Sequence, residues 1–301
     1  MAAPAASWFD GAGGGAPDSF RRNTGRGDVA GAMIPGLSLG ADTALRALLA
    51  PDVTSVTEAF YHDADYVLLD GTDDESHAIG VEHVGGPEVL VAVTDPARPV
   101  GHVRIATTRP GVLLFIDNRA WQGTLHASIR VLGADAALVF HDPGPGFVAL
   151  PDVFLRGDRQ VLFWGIGATA VGCSIEIEGA GAAVAIGDDA LISNGVWLRN
   201  HDMHALHDLA TGRPIGRAPA TMVLERHVWL GQESLLLGCE RIGMGTVVGA
   251  RALVKRSLPP RVAAGGIPAR VLREGVSWGR DVNGMTAAER LSIGVPADPQ
   301  C

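Results

Sequence analysis

The sequence predicts a mainly β chain wound as a stack of triangular coils, on three observations. Aliphatic residues recur at every sixth position: Leu224, Leu230, Leu236, Ile242, Val248 and Val254. A helix of 3.6 residues per turn or a two-residue strand alternation would not give that beat, but a chain turning a corner every six residues does. The fourth residue after each aliphatic is Val228, Ser234, Glu240, Thr246, Ala252 and Leu258, mostly small enough to fit beside a corner. Gly231, Gly243 and Gly249 directly follow their aliphatics, where they could form the turn. Finally, 40 glycines stand against 5% aromatics in a chain that is 47% hydrophobic, a balance suited to thin aliphatic layers. Three six-residue walls close one coil, and stacked coils would pair as parallel strands about 4.8 Å apart.

In chain order, residues 1–30 are rich in Ala, Gly and Pro without apolar periodicity and predict a flexible tail. Residues 31–110 form an N-terminal region with no assigned role. Within it "ADTALRALLA", residues 41–50, predicts a short helix behind an Asp N-cap. "PEVLVAVTD", "GHVRIATT" and "VLLFIDN", between about 87 and 117, predict strands separated by Pro and Gly turns. The coiled domain is expected over 111–273, with an irregular period from 112 to 185. The six-residue beat is clear at Ile186, Ile192 and Leu198. It resumes at Leu224 out of register, so an insertion protrudes at about 204–223. A connection of roughly twenty residues exceeds the usual limit of about 12 to 15 for structureless loops. A tail is expected over 274–301.

The formal charge of −9 argues against general affinity for nucleic acid or anionic membranes. Cys173, Cys239 and Cys301 are odd in number and far apart, which predicts neither a disulfide framework nor a cysteine zinc site. Cys239 falls inside a coil as a small hydrophobe. With no signal-like N-terminus and no apolar run long enough to span a bilayer, a cytoplasmic protein is expected.

The insertion opens on "LRNHDMHALHDLATGRPIG", with His201, His204 and His207 at three-residue spacing. Spacing alone leaves open a metal set, a catalytic base with bystanders, or solvated loop residues. Between 251 and 273 lie Arg251, Lys255, Arg256, Arg261, Arg270 and Arg273 with no Asp or Glu among them. On an acidic chain this is a local cationic patch, suited to a phosphorylated ligand and equally to a solvated edge.

From about 184 to 278, "DMHALHDLATGRPI", "HVWLG" and "IGMGTVVGARALVKRSLPPRVAAGGIPARVLRE" follow one another in the order seen in hexapeptide-repeat sugar O-acetyltransferases of the maltose, galactoside and capsular-polysaccharide types. The chain resembles that family over about a third of its length. The resemblance implies a left-handed parallel β-helix, homotrimers with sites between neighbouring helices, acetyl-CoA as donor and no metal. By alignment of the D-x-H motif it implies His204 as general base and Asp202 as its orienting or substrate-binding partner. Trp229 resembles the residue that lines the acceptor and thioester region, and Asn194 and His201 are candidate acceptor contacts. Gly195 in "SNGV" stands where galactoside-type enzymes carry Asn, and His201, like His207, is equally a solvated loop residue. Gly231, Gly249, Ala250, Lys255, Arg256 and Arg270 are the candidate donor contacts. An imidazole suits removal of a hydroxyl proton near neutral pH as the oxygen attacks the thioester. Two other functions share the fold. One is a zinc hydrolyase of the γ-carbonic-anhydrase type using the three histidines, and the other is a non-catalytic scaffold.

Overall fold

The computed structural model describes residues 67–71, 74–119, 121–202, 204–215 and 221–296. The expected N-terminal tail and the helix at 41–50 lie outside them. The described chain is a parallel β-helix with three walls. The first wall is an eight-stranded sheet running from Val89–Val93 through Val112–Ile116, Ala137–Phe140, Val161–Trp164, Ala183–Ile186 and Met222–Leu224 to Arg241–Ile242, with Val67–Asp70 antiparallel at its head. The second and third walls belong to one sheet. They separate below the long strand Phe147–Leu155, which pairs through Val148 with Ala170 and through Val153 with Ile175.

The six-residue beat is this geometry seen along the chain. Ile186, Ile192 and Leu198 occupy the first, second and third walls and pair with Leu224, Leu230 and Leu236. Leu224, Leu230 and Leu236 pair in turn with Ile242, Val248 and Val254. All nine are buried, stacked in one continuous core. The first step is 38 residues and the second 18, so the chain spends an extra 20 residues outside the coil. They include an antiparallel hairpin of Leu206–His207 and Pro214–Ile215.

Three details differ from the expectation. The parallel ladders extend upstream of residue 111: Val89–Val93 pairs with Val112–Ile116, and Val81–Gly85 with Gly101–Thr107. Residues 81–110 are therefore coil. Their period is obscure because these coils are longer. Leu113 pairs with Ala137 and Ala137 with Val161, 24 residues on each time, and strands such as Thr124–Val131 continue round a corner. The second difference concerns the turns. Left-handed backbone is adopted by His227, Glu233, Gly245 and Arg251, with φ between 56° and 68°. Gly231 and Gly243 are glycine for close approach, since a Cβ on Gly231 would lie 2.6 Å from the Ala250 amide nitrogen and one on Gly243 2.3 Å from Pro260 N. The third difference is Glu240, which is exposed while Cys239 turns inward in its place. Gly238, left-handed at φ 63°, sets that corner one residue earlier.

Residues 275–296, expected as tail, instead fold back along the corner between the first and second walls. Val276 N donates to Arg261 O, Ser277 Oγ to Gly245 O, Trp278 Nε1 to His227 O, and Arg280 to Asp189 Oδ1 and Gly167 O. These partners are the left-handed turn residues of five successive coils, each bonded to the coil before it, so the strap climbs one rung per coil. It ends in the helix Ala287–Ser292, which Thr286 and Glu289 close with a reciprocal capping box.

Candidate active site at the hairpin corner

The third-wall strand Val196–Arg199 ends where the hairpin leaves the coil. Asn200 fixes that exit: its buried amide accepts from Glu178 N at 2.8 Å and donates to Glu178 O at 2.9 Å. Arg199 pairs with Glu176 at 2.9 Å on the same outer face. His201 is buried beside them. Burial is the main influence holding its imidazole below the usual value; Glu178 acts in the opposite sense, and Arg199 adds to the lowering. Asp202 and His204 are exposed. His204 N donates to Asp202 O at 2.7 Å, so among the described residues their link is through backbone, and no hydrogen bond joins the Asp202 carboxylate to the His204 ring. His207 is exposed on the hairpin, whose turn is organised by Asp208 Oδ1 accepting from Ala210 N, Thr211 N and Thr211 Oγ1. With His201 inside and His204 and His207 in solvent, the three imidazoles do not form a ligand set among the described residues.

The other candidates fall on two corners. Lys255 and Arg256 follow Val254, which stacks under Leu236 and Leu198. They are exposed at the hairpin corner two coils further on, roughly 10 Å along the axis. Asn194, Gly231, Gly249 and Ala250 line the corner between the second and third walls. Here Gly231 N donates to Val248 O and Gly249 N to Ala264 O. Gly265 continues that column and pairs with Arg270 across the terminal β-hairpin. Arg251, part of the cationic run, is engaged by Glu233 at 2.7 Å from the preceding coil. Within one chain, His204 and the glycine column therefore occupy different edges of a triangular prism.

Trp229 faces outward from the second wall, half-buried, with Nε1 donating to Ser193 Oγ at 3.3 Å. Its ring lies 6.0 Å from that of Trp278 on the strap. Sequence reasoning missed the residues at the base of this contact, His227, Asp189, Trp278 and Arg280. The only local signal is a His in "HVWLG" at a slot where the coil turns.

No family model matches the chain. The galactoside O-acetyltransferase of Escherichia coli (strain K12) is 36% identical over 93 residues, 30% of this chain and 44% of that protein. The polysialic acid O-acetyltransferase of Escherichia coli O1:K1 / APEC is 29% identical over 112 residues, 37% of this chain and 36% of that protein. A putative colanic acid biosynthesis acetyltransferase of Escherichia coli (strain K12) is 36% identical over 95 residues, 31% and 48% of the two chains. The chain thus spans less than half the length of these curated relatives. The crystal structure of the polySia-specific acetyltransferase NeuO overlaps 62% of this chain and 93% of its own at 20% identity and a TM-score of 0.48, too loose a superposition to bear on the site. Over the matched segment the chain is similar to the sugar O-acetyltransferases of the hexapeptide-repeat family, as its motifs suggest.

Proposed function

We propose that the chain is an acetyl-CoA-dependent O-acetyltransferase acting on a hydroxyl of a saccharide or similar small acceptor. One observation carries the reading: from Ile186 to Val254 the six-residue register of the β-helix is broken by a hairpin, and the D-x-H motif stands at the root of that hairpin. Similarity to galactoside and polysialic acid O-acetyltransferases supports the acetyl donor and the sugar acceptor.

In this reading the exposed His204 imidazole takes the acceptor hydroxyl proton as the oxygen attacks the thioester carbonyl. The proton then passes to the departing CoA thiolate, and no acetyl-enzyme forms. Asp202 holds the turn bearing His204 through the backbone and offers its exposed carboxylate to the acceptor. Bare backbone at Gly231, Gly249 and Ala250 lies along the pantetheine arm, and Lys255, Arg256 and Arg270 meet the CoA phosphates. Asn194 and Trp229 complete the acceptor pocket. His201, being buried, positions the hairpin root instead of touching substrate. Because His204 and the glycine column stand on different edges, the complete site needs a second copy of the chain, which fits a homotrimer with its sites at the contacts. No helix among the described residues is long and apolar enough to cross a membrane, and the reading places the protein in the cytoplasm.

The test is a thiol-release screen of acetyl-CoA against galactosides, other hexoses, sialic acids and nucleotide sugars. Acceptor-dependent release of free CoA is expected. Its absence with every hydroxylated acceptor, together with no thermal stabilisation by CoA, would favour a scaffold.

A further inference from the structure

The strap crosses a buried histidine whose hydrogen bonding dictates its charge. His227 is fully buried, its Nδ1 lies 2.6 Å from Asp189 Oδ2, and its Nε2 lies 2.8 Å from Trp278 O. Both neighbours are acceptors. The Trp278 carbonyl cannot donate, and Asp189 receives the Arg280 Nε–H on its other oxygen at 2.7 Å, as an ionised carboxylate does. A neutral imidazole has a single N–H and could satisfy only one of the two; an imidazolium satisfies both. The ring also stacks on the Trp278 indole at 4.2 Å and 7°, the face-on placement that favours a cation.

We propose that His227 is held as a cation and works as a proton-operated latch for the C-terminal strap, closing it over Trp229 while the proton is present and freeing it when the proton leaves. Asp189, Arg280 and Glu289 are the charged groups facing the ring: Asp189 bonds it directly, Arg280 bridges to Asp189, and Glu289 accepts Arg280 N at 2.8 Å. Burial, the largest influence on His227, disfavours the charge, but Asp189 and the Trp278 carbonyl outweigh it and leave the net shift upward. Asp189 is held below the usual carboxylate range, because its bonds to His227 and Arg280 outweigh its burial. The sign follows. The imidazolium contribution is complete below the ordinary histidine value and is lost as pH rises through the raised one. Loss of the Nε2 proton would leave two lone pairs facing each other at the Trp278 carbonyl, at the residue that covers Trp229.

Ligand atoms of Asp189, His227 and Glu289 lie within 4.8 Å of one another, a spacing that could suit a cation. Each is already engaged: His227 as a donor, Asp189 by Arg280, and Glu289 by the amides of Arg280 and Thr286. The guanidinium holds one Asp189 oxygen and the His227 ring the other, so a cation would have to displace these bonds.

The latch rests on the strap's geometry; only its effect on substrate access rests on the transferase reading. Hydrogen exchange of the full chain separates the two, because it needs no substrate. Between pH about 6 and about 9, after correction for intrinsic exchange, protection of 278–290 should fall by about tenfold or more while the third wall is unchanged. Asp189→Asn should move the midpoint to lower pH, and His227→Phe, which keeps a stacked ring without a proton, should abolish the pH dependence. Flat protection in the wild-type chain would overturn the latch, as would an unchanged midpoint in Asp189→Asn. Recovery of alkaline protection on adding stoichiometric zinc would show a metal site instead.

Discussion

Leu236→Ala tests the coil geometry where it is most exacting. Leu236 is fully buried, with Leu198 above it and Val254 below on the third wall. Truncation removes three buried carbons, roughly 2.4 kcal/mol of transfer free energy at about 0.8 kcal/mol each. The neighbouring coils are tied by backbone hydrogen bonds on three walls and cannot collapse into the gap, so the cavity should raise the loss to about 3–5 kcal/mol. A stacked array contacts only its nearest coils, so the damage should be local. Hydrogen exchange should report lost protection in Val196–Arg199, Leu235–Leu237 and Leu253–Val254, with the upstream strands Val89–Val93 and Val112–Ile116 unaffected. Leu235→Ala, on the outward side of the same strand, should cost well under half as much. Equal losses at Leu235 and Leu236, or a Leu236→Ala cost below about 1 kcal/mol, would refute the inward ladder.

Gly231→Ala places a Cβ 2.6 Å from a backbone nitrogen and should destabilise the chain by about 1–3 kcal/mol, read as a lowered Tm. An unchanged Tm would mean that this corner is looser than the described geometry. Asn200→Ala removes both amide bonds to the Glu178 backbone and leaves buried groups unpaired, a loss of about 1–3 kcal/mol. Proteolysis within 204–215 should increase in that variant with the coils still folded.

The downstream coils were legible because each wall takes six residues with one inward aliphatic, so Ile186 to Leu198 and Leu224 to Val254 declare three walls and the size of the interruption between them. The upstream coils were not, because 24-residue turns with strands bending round corners have no fixed beat. There, both faces of the first wall are apolar: Leu113, Phe115, Val139 and Phe163 form a second buried cluster on its outer side. That erases the alternation a sequence reader needs. The strap was invisible for another reason. Arg280 bonds residues more than 90 positions earlier, and its partners Asp189 and Gly167 are ordinary turn residues locally. Of the site, the motif identified His204 and Asp202 as neighbours, and the structure adds that backbone joins them. The burial of His201 could not be read from its spacing, because it depends on the coil above supplying Glu178 and Glu176.

In the proposed reaction the imidazole at the root of the hairpin drives acetyl transfer, a role tested most directly by steady-state kinetics of His204→Ala with acetyl-CoA and an acceptor found by the thiol-release screen. Turnover should fall by about 10² to 10⁴-fold, with CoA binding and oligomeric state retained. Activity within a few-fold of the wild-type chain would contradict it.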